Sequence, residues 1–311
     1  MKKKFLIAFI ASFIGFTILY STVLNSLFFN DQAVATGDVG DVDDVEDVNI
    51  KGNKILFLLM GVDAQSVKKS KGTRTDTIML TSVDLETGQV NILSIPRDTR
   101  LSVNGKLDKV NAAHAYGGPE MSIETISDFL AIDLEYYVKV DYQIVQDLVE
   151  AIGGVEIEVP FLMSYKDPTA DPPLNIYLEP GLQTLNGKQS HDFLRFRNNN
   201  SYTVGYDDGD VGRIQTQQYF VKELVKQTLK PKNILKIPAL IETYYENVET
   251  NIPITKMLKA AASAGKIDVE HINTETVPGE GQYIGPVSYY IYEREATNLL
   301  VEQMFDEFIL D

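Results

Sequence analysis

The chain has 311 residues, 44% hydrophobic and 23% charged, the proportions of an ordinary globular protein with room for one large domain or two small ones. Its 28 basic and 44 acidic residues leave a net charge of −16, which argues against sequence-independent nucleic-acid binding; a phosphorylated ligand would need a local arginine cluster or a metal. There is no cysteine, so disulfides, thiolate catalysis and zinc–thiolate sites are excluded, and His114, His191 and His271 are too scattered to form a helical metal pair.

Lys2, Lys3 and Lys4 precede an uncharged apolar run over residues 5–29. At about 1.5 Å per residue a helix of that length spans the roughly 30 Å hydrocarbon core. The run predicts one N-terminal transmembrane helix. The lysines predict a cytoplasmic stub, residues 1–4, with everything after the run outside the cell. Ala33-Val34-Ala35 also matches a signal-peptide cleavage site, but signal peptides have a shorter apolar core, about 7–15 residues, which favours a retained anchor. Residues 30–50 are polar and acidic and read as a solvated linker; they lack glycine and a terminal glutamate at the spacing of a calcium loop.

Residues 51–311 read as one α/β domain, a mixed central sheet with helices on both faces. Residues 54–60 (KILFLLM) form a continuous apolar run, the pattern of a strand buried on both faces. Residues 75–83 and 89–95 read as two further strands, joined through Asp84-Leu85-Glu86-Thr87-Gly88 into a hairpin. Helical spacing covers 121–132 and 142–151, Gly153-Gly154 stops the second helix, and 155–159 (VEIEV) alternates as a strand. Residues 161–179, rich in Pro and Asp, read as a long loop, and 181–187 as a turn before a helix carrying 189–193. A helix opens at Asp210 and runs to about residue 229, where Pro231 ends it. Further helices are predicted over 233–247, 253–264 and 288–310, with a short strand over 274–277.

Charged residues gather at element ends. Asp63 follows the first strand; Arg74 and Asp76 are two apart and would share a face of an extended segment. If Asp63 and Asp76 converge they suit Mg²⁺, which takes one or two carboxylates and completes its shell with water and phosphate oxygens. Arg97 and Asp98 follow Pro96 at a strand tip, where the guanidinium could grip a phosphate or simply pair with the aspartate. Arg195 and Arg197 (LRFR) would share a face of an extended stretch and a common anion. Asp210, Arg213 and Gln217 lie on one face of the first two turns of a helix, with Asp210 placed as its N-cap.

LLMGVD (58–63), TRTDTIML (73–80), LSIPRDT (93–99), KVNAAHAYGG (109–118), IGGV (152–155), LNGKQS (185–190), FLRFR (193–197) and DGDVGRIQTQQ (208–218) occur in this order. In these motifs the chain resembles the LytR–CpsA–Psr family of bacterial cell-envelope proteins, from about residue 54 to 229 and more loosely beyond. The resemblance implies a membrane-anchored extracellular enzyme, a phosphotransferase of a Gram-positive type of envelope. Such proteins move a glycopolymer, for example wall teichoic acid or capsular polysaccharide, from a polyprenyl pyrophosphate to the 6-hydroxyl of N-acetylmuramic acid in peptidoglycan. It also implies roles residue by residue: Asp63 and Asp76 holding Mg²⁺; Arg74, Arg97, Arg195, Arg197 and Arg213 on the pyrophosphate, supported by Gln217; Asp210 as the base; and an apolar tunnel for the prenyl tail. A non-catalytic polyprenyl-phosphate sensor and a polyprenyl pyrophosphatase are the competing readings. Two stretches depart from the family pattern: Thr216 stands where arginine is frequent, and His191-Asp192-Phe193 stands where small and apolar residues with Ala and Tyr are usual, His191 reading as a surface substitution rather than an extra acid–base group.

Overall fold

Residues KILFLLMGV form β1 (Lys54–Val62), the strand around which the domain is built. The computed structural model describes residues 53–62, 70, 72–169, 173–206, 210–237, 240, 241, 245, 248–267 and 272–310, of residues 210 and 211 the backbone only. The predicted stub, transmembrane run and linker, together with Asp63 and His271, lie outside the described residues. Among the described residues no helix is long and apolar enough to cross a membrane.

After β1 come β2 (Thr75–Asp84) and β3 (Val90–Ser94), then β4 (Arg100–Val103) and β5 (Lys106–Lys109). Helix α1 (Ala112–Leu130) leads to β6 (Tyr136–Asp141), and α2 (Tyr142–Ile152) to β7 (Val155–Val159). β8 (Met163–Asp167) pairs with β9 (Leu174–Leu178), β10 (Gly181–Leu185) pairs back with β7, and α3 (Gly187–Arg195) and α4 (Asp210–Thr228) follow. The order ends with α5 (Pro231–Ile234), β11 (Glu249–Thr250), α6 (Ile254–Ser263), β12 (Ile272–Thr276), β13 (Gly279–Ile284), β14 (Val287–Tyr292) and α7 (Arg294–Phe305).

The central sheet has six strands in the order β11-β6-β1-β2-β3-β12. It is mixed: β1 runs parallel to β6 and β3 to β12, while β1–β2 and β2–β3 are antiparallel. Strand alternation divides its apolar residues between two faces. Leu56, Leu58, Met60, Ile78, Leu80 and Leu93 pack with Ile126 and Leu130 of α1 and Val301, Met304 and Phe305 of α7. Met79, Val90 and Ile92 face the other way, against Val221 and Val225 of α4. Cover on both faces is why β1 reads as an unbroken apolar run.

A second core lies beyond the sheet. Val149 and Ile152 of α2, Ile157 of β7, Ile176 and Leu178 of β9, Phe193 of α3 and Phe220 of α4 close around each other. Local signals fix its helices. Asp141 caps α2 by accepting from the Ile144 amide at 2.8 Å, and Gly153 ends it in the left-handed region at φ 85°. The LNGKQS motif is a capping box at the start of α3, with the Asn186 and Gln189 side chains each bound to the other's backbone N–H. A Cβ on Gly187 would lie 2.6 Å from the Gln146 carbonyl oxygen, so glycine is what lets α3 approach α2.

Several stretches differ from the sequence reading. Helix α1 starts at Ala112 and kinks at Gly118-Pro119, so the predicted helix from residue 121 is only its second limb. The predicted loop over 161–179 holds the β8–β9 hairpin, and the predicted turn over 181–187 is mostly β10. Residues 288–292 are strand β14, and the last helix starts only at Arg294. Strand β6 and the β4–β5 hairpin had no counterpart in the reading. Of the helix predicted over 233–247, α5 supplies the start, and the rest is described only in part.

Candidate active site

The tip of β3 carries the first functional side chain. The β2–β3 register pairs Met79 with Ser94, and the Ile95 amide donates to the Ile78 carbonyl at 2.9 Å. Counting on in the same register sets Arg97 across from Asp76, and Arg97 Nη1 forms an ion pair with Asp76 Oδ1. The neighbouring Asp98 turns away and pairs with Lys109 Nζ at 2.9 Å, so it does not orient Arg97. The tip itself is pinned by its backbone. Thr99 N–H donates to the Pro96 carbonyl (2.9 Å), Asn111 N–H to that of Arg97 (3.2 Å) and Tyr290 N–H to that of Asp98 (2.9 Å).

Arg195 and Arg197 arrive from α3. Arg195 is the last residue of that helix, and Phe196 then turns the chain extended, so the two do not share a strand face as predicted. The Arg195 guanidinium lies 5.9 Å from the centre of the Tyr142 ring, which in turn meets the His191 ring edge-on at 4.7 Å. His191, read as a surface substitution, is thus part of the packing behind Arg195.

Arg213 and Gln217 sit one turn apart on α4 and are 4% and 5% exposed. Gln218 sets the helix in place. Its Nε2 reaches Ser94 Oγ (2.9 Å), the Glu275 carbonyl (2.8 Å) and Thr276 Oγ1 (3.2 Å), so two hydrogens serve three acceptors at the ends of β3 and β12. We expect Gln218→Ala to cost about 1–3 kcal/mol, the penalty for stranding buried partners. Chemical denaturation checks this; an unchanged midpoint would show that the amide holds nothing.

These elements enclose a cavity of about 350 Å³ lined by Asp76, Tyr142, Arg195, Arg197, Tyr202 and Arg213, with Asp167 of β8 on its wall. A narrower recess adjoins it, sharing Asp76 and Arg213 and adding Ser94, Arg97, Ile214 and Gln217. Among the described residues four guanidinium groups therefore meet two carboxylates, a surplus of positive charge in an acidic chain. Such a surplus suits a multiply charged anion, whose oxygens accept the planar forks of arginine in pairs.

Residues 23–306 match the LytR_cpsA_psr family. The chain belongs to this family. The teichoic acid transferase TagV of Bacillus subtilis (strain 168), named as acting between polyisoprenyl-teichoic acid and peptidoglycan, is 33% identical over 256 residues, 81% of this chain. This chain spans 63% of the length of that relative. The similarly named TagU of Halalkalibacterium halodurans is 30% identical over 285 residues, covering 91% of this chain and 88% of that protein. In three dimensions the crystal structure of B. subtilis TagV superposes with a TM-score of 0.69 at 29% identity, over 83% of this chain and 99% of that one.

Arg74 precedes β2, so strand alternation does not carry it to the face of Asp76; it is exposed and lies outside both cavity linings among the described residues. Its charge acts instead on Asp108. Burial would raise the Asp108 carboxyl, but bonds from the Tyr116 hydroxyl and the Lys109 amide, with Arg74 and Lys109 nearby, hold it below its usual value. Asp210 is the first residue of α4, one turn before Arg213; its side chain, like Asp63, is not described. Thr216 bonds back to the Gly212 carbonyl at 3.0 Å and faces a separate groove with Phe161, Tyr206 and Tyr219. The arginine frequent at this position in the family is therefore not missing from the anion cavity. Tyr142, Asp167 and Gln218 were missed by the sequence reading. Only Gln218 carried a signal, as the last residue of DGDVGRIQTQQ.

The donor set fits a magnesium ion on one side. Asp76 offers a hard oxygen in a cavity otherwise rich in cations, and one of its two oxygens is engaged by Arg97. Among the described residues no three Asp, Glu or His side chains form an all-protein cage, and Mg²⁺ does not require one when phosphate and water complete its shell.

Behind Arg74 lies a buried polar relay. His114 Nδ1 is 2.8 Å from the Thr73 carbonyl and Nε2 is 3.4 Å from Lys139 Nζ, which pairs with Glu249 at 2.7 Å. With Nδ1 donating to the carbonyl, Nε2 accepts from Lys139 and the ring stays neutral. Burial lowers the His114 pKa, and Lys139 adds to this against the pull of the Thr73 carbonyl. The unfolded chain then takes up a proton at a higher pH than the folded one. Stability present above about pH 6.5 is lost as pH falls toward the folded value. We expect the melting temperature to drop between about pH 7.5 and about pH 5.5, and the drop to shrink in His114→Gln. Equal slopes in the two proteins would contradict this.

Proposed function

We propose that this protein transfers a glycopolymer from a polyprenyl-pyrophosphate carrier to peptidoglycan, forming a phosphodiester with a hydroxyl of N-acetylmuramic acid. The observation that carries this reading is the convergence of Arg97, Arg195, Arg197 and Arg213 around Asp76. Family membership and the likeness to transferases of that name support it.

In this reading the acceptor oxygen attacks the phosphorus that carries the polymer. The P–O–P bridge breaks and polyprenyl monophosphate leaves. Arg195, Arg197 and Arg213 hold the non-bridging oxygens and offset the charge that gathers on the leaving phosphate. Arg97, set in place by its ion pair with Asp76, adds its charge to theirs. Gln217 adds an amide donor beside Arg213. Asp210 takes the proton of the acceptor hydroxyl. Asp63 and Asp76 would hold Mg²⁺, which when bound neutralises and orients the pyrophosphate. Little covalent work falls to the protein, which suits a site made of fixed cations.

The test is reconstitution of the purified full chain with a lipid-linked wall polymer and peptidoglycan. Polymer should appear in the insoluble peptidoglycan fraction. Donor binding without attachment would point to a sensor instead, and carrier hydrolysis without attachment to a pyrophosphatase.

A further inference from the structure

In a chain of net charge −16, the segment KELVKQTLKPKNILK (residues 222–236) holds five lysines, Lys222, Lys226, Lys230, Lys232 and Lys236, against one glutamate, Glu223. It covers the last turns of α4, the junction and α5. Lys226, Lys230, Lys232 and Lys236 are exposed, and Leu235 among them is 74% exposed. Cations at a helix C-terminus complement its dipole, which accounts for Lys226 near the end of α4. It does not account for the lysines beyond, nor for a bare leucine between them.

This knuckle is rigidly set. Asn233, fully buried, donates from Nδ2 to the carbonyls of Ile152 and Gln227, both at 3.0 Å, and Lys236 Nζ reaches the Ala151 carbonyl at 3.3 Å. With Asn233 turned in, Lys232 and Leu235 are turned out. Ile234 lies against Gly265, which packs the knuckle on the segment that follows α6.

We propose that this knuckle is a contact surface for an anionic lipid bilayer. Lysines around an exposed aliphatic side chain match both layers of a membrane interface: the ammonium groups meet lipid phosphates while Leu235 enters the acyl boundary. An anionic polymer would engage the lysines but gain nothing from the leucine. The surrounding acidic chain would be repelled by the same bilayer, so contact at this point also selects one orientation. Arg213 and Lys226 are thirteen residues apart on α4, about 20 Å, so the contact would lie at the far end of that helix from the anion cavity. The proposal stands apart from the transferase reading, since it needs neither donor nor acceptor.

The absence of cysteine permits a direct test. Leu235→Cys and, as control, Ser102→Cys on the exposed side of β4 are labelled with an environment-sensitive fluorophore in the full chain. Each is reconstituted into phosphatidylglycerol or phosphatidylcholine vesicles carrying a lipid-borne quencher. Quenching at 235 should exceed that at 102 several-fold in phosphatidylglycerol. It should fall to the control level in phosphatidylcholine and in Lys230→Glu/Lys232→Glu, with unchanged circular dichroism. Equal quenching at both sites in phosphatidylglycerol would overturn the proposal. So would quenching at 235 that is the same in both lipids, or a label that responds to soluble polyglycerol phosphate but not to the vesicles.

Discussion

Arg97→Ala should lower polymer transfer by about 100-fold or more, the scale on which a pre-set charge donor acts in a shielded site. The fold should survive. The tip is held by three backbone hydrogen bonds that do not involve the Arg97 side chain. The side chains of Arg97 and Asp76 are 19% and 23% exposed, so loss of their pair costs more than the about 0–1 kcal/mol of a surface pair and less than the about 3–5 kcal/mol of a fully buried one. Asp76 also keeps Arg213 as a wall of the same cavity. Arg97→Lys separates charge from geometry. It retains the cation but loses the planar fork, and we expect it to recover only part of the activity. Transfer measured beside a thermal melt decides the matter; full activity in Arg97→Ala would remove the residue from the mechanism.

Asp76→Ala should give an equally large loss by a different route. It releases Arg97 and removes a negative charge among arginines, so binding of the lipid-linked donor should hold or tighten while turnover collapses. Chelation of Mg²⁺ in the unaltered protein should reproduce the defect. Chelation of the variant should add little, because both remove the same interaction. The two variants thus differ in donor affinity, weakened in Arg97→Ala and kept in Asp76→Ala, as a titration with labelled donor would read. Full turnover of the unaltered protein under chelator would count against a metal role for Asp76.

The parts of the fold that were legible in the sequence are those where one physical demand dominates. β1 to β3 are buried on both faces, with a short turn between β2 and β3, and their apolar runs say so. β6 was missed because its centre is Lys139, a charge buried at 3% exposure and matched by Glu249 on the neighbouring strand. That partner lies 110 residues away and leaves no local mark. The β8–β9 hairpin was hidden by its Pro- and Asp-rich setting, although Met163, Ile176 and Leu178 are buried. β14 was merged into a helix because its tyrosines suit either pattern, and Glu293, the residue before α7, gives no capping bond to mark the boundary.

The site was legible as residue types and not as partners. Adjacency in the chain suggested Asp98 for Arg97, whereas strand register supplies Asp76. Alternation suggested that Arg74 and Asp76 share a face, but the strand begins between them. Arg213 and Gln217 were placed correctly on one helix face, because helical spacing is a local property. What holds that face over the strand ends is Gln218, through contacts with β3 and β12 that only the folded chain brings together.

The most direct test of the transferase account counts phosphate. The purified full chain is incubated with lipid-linked polymer and peptidoglycan, and two products are measured together: free polyprenyl monophosphate and polymer joined to muramic acid through phosphate. One of each is expected per event, with neither formed when peptidoglycan is withheld. Release of polyprenyl phosphate without attachment, or attachment that leaves no phosphate on muramic acid, would contradict it.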